Sequence, residues 1–142
     1  MQRLTQAGIL LLLLPACQAP PQPPARQGSG VFLPLTTAPP AGVTESSATA
    51  SLTGRLVVAG GCVRVEDLET GEPTTVLWHH DTQLVQTRSG YSLVNRRTGV
   101  TRPIGEVVQF GGGGVRRDAV EREYAEIARR CGGPYATGWL SG

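Results

Sequence analysis

From Leu52 onward the chain is written in short apolar runs separated by glycine-containing turns, the pattern of an all-β sandwich or barrel. Runs at 55–59 and 62–66 flank Gly60-Gly61, which reads as a bulge or sharp bend inside one continuous first strand. Alternation puts Val63 and Val65 on one face and Cys62 on the other, unless the bulge resets the register. Further runs follow at 75–79, 83–87, 91–95 and 105–110, with turns at 67–73, 80–82, 88–90 and 96–99. Pro103 lacks the N–H that a central ladder position needs, so its segment belongs at an edge or a bend. Residues 135–140 make a last short strand, expected at an edge. Five to six strands within about 90 residues suit a small closed or half-closed β-barrel, OB-like or similar.

One C-terminal helix completes the expectation. Asp118 can cap it, Glu121 stands where a capping box wants an acid, and Gly132 stands where a left-handed C-cap is wanted. Val120, Tyr124, Ile127 and Cys131 recur at spacings of four, three and four, so one stripe carries them toward the sheet. Asp118, Glu121 and Glu123 come early and Arg129 with Arg130 come late, both favourable to the helix dipole.

The first sixteen residues have another texture. Arg3 supplies a positive start, an apolar stretch runs over 9–14, and small Ala16 precedes a cysteine. The stretch is shorter than the roughly 20 apolar residues that span a bilayer, and reads as an export signal. A hydrophobic N-terminal helix within a soluble core is the competing reading; Pro15, Pro20, Pro21, Pro23 and Pro24 argue against it.

Leu14-Pro15-Ala16-Cys17 resembles the lipobox of bacterial lipoproteins, with an aliphatic residue three before the cysteine and a small one directly before it. Pro15 departs from the small or β-branched residue usual at its position. The resemblance implies a signal peptide at 1–16, cleavage before Cys17, and diacylglyceryl or palmitate-type acylation of Cys17 that holds the chain to membrane lipid. Each buried CH₂ contributes about 0.8 kcal/mol, so two or more chains anchor where one binds only reversibly. With Cys17 lipidated, two of three cysteines remain, Cys62 and Cys131. In an oxidising compartment such a pair is expected to form a disulfide, and two reduced buried thiols are the alternative. No Cys-x-x-Cys or Cys/His spacing points to structural zinc.

Between the cysteine and the domain, residues 17–50 are dominated by Pro, Ala, Gln, Ser and Thr, and read as a flexible linker. Val31, Phe32, Leu33 and Leu35 interrupt this composition and either belong to the tether or add a strand to the domain at 51–142. Taken whole, a linker of about 33 residues would reach at most about 110 Å. The formal net charge is +2 and all 13 basic residues are arginine, too weak and too mixed a balance for a nucleic-acid stripe. From Gly54 on, Gly61-Cys62, Leu77-Trp78, a Gly-Glu-x-Val-x-Phe-Gly-Gly-Gly segment at 105–113, and Cys131-Gly132-Gly133-Pro134 resemble a group of small exported bacterial proteins. That resemblance implies a shared β-rich fold with paired cysteines and brings no activity with it.

Candidate chemistry is sparse. His79, His80 and Asp81 form the ligand-like cluster, yet neighbours on a strand point to opposite faces, so both imidazoles share a metal only if a turn starts between them. A solvated strand end with no metal is the expectation, and a metal-dependent hydrolase using His79 and His80 the alternative. Gly111, Gly112, Gly113 and Gly114, followed by Arg116 and Arg117, could form a nest of backbone N–H groups for an anion, or a plain connection into the helix. The spacing is not that of a phosphate-binding loop or a dinucleotide fingerprint. Glu66, Asp67, Glu69 and Glu72 lack the alternation of a calcium loop, and Trp78 and Trp139 read as packing residues before they read as a sugar platform. No serine lies in a nucleophile elbow and no catalytic set is discernible. The expectation is a non-enzymatic binding or envelope-structural module without a cofactor, lipid-anchored at Cys17 and facing the periplasm or exterior. Its partners would be membrane lipid and an envelope protein or small ligand, not nucleic acid.

Overall fold

A computed structural model describes residues 30–43 and 50–141; the signal, the lipobox and Cys17 lie outside the described residues. The fold is mainly β. In chain order its elements are β1 Ala50–Ala59, β2 Cys62–Glu66, β3 Pro73–Trp78, β4 Thr82–Thr87, β5 Gly90–Asn95, β6 Thr101–Pro103, β7 Val107–Val115, α1 Arg117–Glu123, α2 Ala125–Cys131 and β8 Tyr135–Leu140.

Five strands close a ring in the order β1, β2, β3, β8, β7 and back to β1, and a separate antiparallel sheet holds β4, β5 and β6. Among the named strands of this ring, the pairing of β3 with β8 is the parallel one. The reason for the ring is visible in the alternation. Leu56, Val63, Val65, Val76, Trp78, Val108, Phe110, Ala136 and Leu140 all enter one buried cluster, to which β4 and β5 add Leu84 and Leu93. Within it the Trp78 and Phe110 rings meet at 5.1 Å between centroids, tilted by 51°, an arrangement aromatic pairs favour.

Cys62, Leu77 and Tyr135 alternate with those core residues and therefore face outward. There the helices cover them: Leu77 and Tyr135 join Val120 and Ile127 in a second buried cluster, with Phe32, Val115, Tyr124 and Ala128 packed around it. The expected stripe of Val120, Tyr124, Ile127 and Cys131 is the stripe that packs. The single helix is corrected to two, because Tyr124 leaves helical angles at φ −132° and ψ 48°. Asp118 is not the cap. Arg116 occupies that position without a side-chain cap bond, and the Asp118 carboxylate accepts from the Arg116 guanidinium at 2.7 and 2.9 Å. Gly132 does end α2, with φ 69°.

Three other expectations change. Gly60-Gly61 is a hairpin turn and not a bulge: Ala59 pairs with Cys62, and both glycines take positive φ, 59° and 75°. Those are the signs that a two-residue turn matched to strand twist requires. The continuous first strand is thus two antiparallel strands, the first beginning at Ala50. Next, Tyr135–Leu140 is no edge, since β8 is paired on one side with β3 and on the other with β7. Lastly, β7 extends through the glycine run to Val115. Pro103, by contrast, lies in β6, which among the described residues pairs with β5 alone and is an edge as its missing N–H demands.

Residues 31–36 do not belong to the tether. The β2–β3 ladder consists of two residue pairs, Val65 with Thr74 and Glu66 with Pro73, and beyond them the two strands splay. The segment at 31–36 lies in that opening. Phe32 N–H donates to Gly61 O and Val63 N–H donates to Phe32 O, both at 2.8 Å; Trp78 N–H donates to Pro34 O at 3.0 Å and Thr36 N–H to Trp78 O at 2.8 Å. It satisfies donors that the splay would otherwise leave buried and unpaired, which is costly. Val31, Leu33 and Leu35 pack on the ring core, while Phe32 faces the helix cluster and lies under the Arg130 guanidinium at 4.2 Å. The strap therefore belongs to the domain whose start was expected at 51.

Candidate functional site

The disulfide is the most clearly defined of the expected sites. Cys62 and Cys131 are bonded across a sequence separation of 69, with Cα atoms 5.9 Å apart, and both are buried. Cys62 is outward on β2, as the alternation with Val63 and Val65 requires, and the bond ties that outer face to the end of α2.

Gly111, Gly112, Gly113 and Gly114 are strand residues. They pair in order with Trp139, Gly138, Thr137 and Ala136 of β8, and Gly111 and Gly112 also pair with Ser51 and Ala50 of β1. The nest and the loop expected there are both corrected, because a ladder spends its backbone groups on neighbouring strands. Glycine is required by close approach instead: a Cβ on Gly112 would stand 2.0 Å from the Thr137 carbonyl oxygen, and one on Gly111 2.1 Å from the Trp139 ring. Trp139 thus lies against the glycine strand, while Trp78 is wholly buried in the core.

Arg116 and Arg117 follow that strand at the start of α1. Arg116 pairs with Asp118 at 2.7 Å and Arg117 with Glu121 at 3.7 Å, all four side chains exposed. Gly114, Val115, Arg116, Arg117, Pro134 and Tyr135 line an open concavity of about 350 Å³. Gly114, Pro134 and Tyr135 also line a neighbouring one of about 270 Å³, which reaches Leu52, Val65, Val76 and Phe110 of the ring. Sequence reasoning missed Pro134 and Tyr135 here, since nothing in the chain announces that β8 runs beside β7.

At the other side, β3 ends at Trp78 and a turn follows, closed by the Thr82 N–H donating to His79 O at 2.8 Å. The condition under which the two imidazoles can act together is therefore met. His79 Nδ1 stands 3.5 Å from Asp81 Oδ2, His80 Nε2 stands 4.0 Å from Asp81 Oδ1, and the two rings overlap at 4.0 Å between centroids. Arg97 Nε lies 4.0 Å from Asp81 Oδ2. His80 also lines a concavity of about 250 Å³ bounded by Val31, Leu33 and Leu35 of the strap and by Thr82, Leu84 and Arg96.

Within the acidic turn, Asp67 is a local hydrogen-bond acceptor. Asp67 accepts the Thr70 N–H at 2.8 Å, the Glu69 N–H at 2.9 Å and the Thr70 hydroxyl at 3.1 Å. These donors, the Thr70 N–H first, hold its exposed carboxyl below the ordinary aspartate range. Asp67 is thereby a turn residue that organises the connection from β2 to β3. Comparison with protein-family models, with curated proteins and with solved structures found no match.

Proposed function

We propose that this chain is a bacterial envelope lipoprotein: a small β domain without enzymatic activity, displayed from a membrane through lipid on Cys17 and serving as a binding or structural module. The observation that carries the reading is the disulfide, because it occupies Cys62 and Cys131 and leaves Cys17, directly after Leu14-Pro15-Ala16, as the one cysteine outside the pair. A disulfide of this kind also fits an exported protein. No helix among the described residues is long and apolar enough to cross a membrane. The ring supports an OB-like barrel, with β8 inserted between β3 and β7 out of chain order.

The strap shortens the tether. Counting from Cys17 to Gly30 gives 30 − 17 = 13 residues, which extend to at most about 45 Å. The domain is held less than half as far from the headgroups as a linker running to residue 50 would allow.

Intact mass of membrane-extracted protein is expected to show a chain beginning at Cys17 with acyl groups attached. Cys17→Ser is expected to remove those groups and release the domain from the membrane fraction. An unmodified mature chain beginning elsewhere would overturn the anchor.

A second reading makes the concavity at Gly114, Arg116 and Arg117 a site for an anion or small ligand. It is favoured by two guanidinium groups at the mouth of a cleft with an apolar floor; Arg116 forms an exposed two-pronged pair with Asp118, and Arg117 a looser exposed pair with Glu121 while lying 5.9 Å from the Tyr135 ring centroid. Titration with phosphate, carboxylates and oligosaccharides is expected to give heat that Arg117→Ala diminishes; none at millimolar ligand would end this reading.

A further inference from the structure

The turn from β3 to β4 brings two imidazoles and a carboxylate to one point, and one ligand atom from each of His79, His80 and Asp81 falls within 4.8 Å of the other two. Donors bound to a tetrahedral cation at 2.0–2.2 Å stand roughly 3.3–3.6 Å from one another. The separations of 3.5 and 4.0 Å run to different Asp81 oxygens, so the set with one donor atom from each residue is bounded by the 4.8 Å limit, and side-chain adjustments of roughly 1 Å bring it to that spacing. We propose that His79, His80 and Asp81 bind a divalent transition cation that prefers imidazole, Zn²⁺ or Cu²⁺ in class, in a three-ligand set that keeps a further position for water or a ligand.

The donor chemistry selects among cations. Two ring nitrogens and one carboxylate suit zinc or copper, whereas calcium and magnesium want a shell of oxygens. The backbone that carries the ligands is fixed from both sides. His79 N–H donates to Gly138 O of β8 at 2.8 Å, and Arg96 N–H donates to Asp81 O at 2.9 Å, so the turn is pinned to the ring and to the three-stranded sheet together. Asp81 N–H donates to His79 Nδ1 at 3.2 Å; a cation taken through Nε2 keeps that bond, and one taken through Nδ1 replaces it. The side chains are 18%, 25% and 27% exposed, so a cation reaches them without unfolding, and His80 opens on the concavity beside the strap. Arg97 is the opposing feature. Its guanidinium lies 4.0 Å from Asp81 Oδ2 and competes for that oxygen. The site depends neither on the anchor nor on the basic concavity.

The test is titration of the metal-free full chain with Zn²⁺ by calorimetry and with Cu²⁺ by electron paramagnetic resonance. One equivalent is expected to bind, with nitrogen hyperfine structure from two imidazoles. His79→Gln or His80→Gln is expected to weaken binding by about 100-fold or more and to leave one nitrogen. Arg97→Gln is expected to tighten it by about three- to tenfold by removing a repelling charge. Metal-free melting curves matching the parent's show that the variants are folded. The two-nitrogen signal is read on the parent chain, so the test survives a variant that fails to fold. No binding at millimolar Zn²⁺, a parent Cu²⁺ signal from one nitrogen or none, or binding undiminished when both histidines are replaced would each overturn the site.

Discussion

Gly112→Ala is expected to lose about 3 kcal/mol or more of stability, while Gly114→Ala, two residues along the same strand, is expected to be neutral or stabilising by about 0.4–1 kcal/mol. Both are exchanges of one hydrogen for one methyl, and what separates them is what the methyl meets. At Gly112 it would stand 2.0 Å from the Thr137 carbonyl oxygen and 3.2 Å from the Gly138 Cα, all backbone, so β7 and β8 must part to admit it. At Gly114 nothing lies within 4 Å and φ is not positive, so alanine costs no strain and lowers the entropy of the unfolded chain. Gly111→Ala falls between, because the clash at 2.1 Å is with the Trp139 ring, a side chain that can rotate away at some loss of packing. Denaturant unfolding of the three variants gives the order directly. Equal stability of the Gly112 and Gly114 variants would mean that the β7–β8 register is other than the one described.

Glycine is also where the sequence was hardest to read. It serves positive φ and it serves close approach, and nothing local says which. At Gly60-Gly61 the chain uses the first property and reverses; at Gly111 and Gly112 it uses the second and runs straight on. A bulge was expected at the former and a loop at the latter, since the neighbours that decide the matter, Ala59 against Cys62 and β7 against β8, are pairings and not local propensities. What alternates was legible. Val63 and Val65 face inward, Cys62 faces out, and the 4-3-4 stripe from Val120 to Cys131 packs as its spacing requires. At the histidines the expected run over 75–79 passes one residue beyond the strand, which ends at Trp78, while the turn expected at 80–82 does begin between the two imidazoles. Likewise the strap at 31–36 has linker composition around it, and only the splay between β2 and β3 explains why Val31, Leu33 and Leu35 find a place in the core.

Replacing Cys62 and Cys131 together with serine is expected to cost about 4 kcal/mol, on the order of 20 °C in melting temperature for a domain of this size. The bond closes a long loop, 69 residues apart in sequence, and loop-closure entropy lost from the unfolded chain grows with the logarithm of that length. The consequence should be uneven across the fold. α1 and α2 have 7 residues each, too short to hold alone, and lie on the ring through a small cluster of Leu77, Val120, Ile127 and Tyr135. The ring core is larger and is closed by ladders that do not pass through the disulfide. Hydrogen exchange is therefore expected to quicken first over 117–131 and over the strap residue Phe32, which packs beneath the same helices, while β1, β7 and β8 stay protected. Cys17→Ser should leave the melting of the domain unchanged, since the disulfide does not involve it. That contrast would separate the two cysteines that stabilise the fold from Cys17, the one proposed to carry the anchor. Labelling of Cys62 and Cys131 by a thiol reagent in unfolded, unreduced protein would remove the structural half of that division, and with it the counting on which the anchor rests.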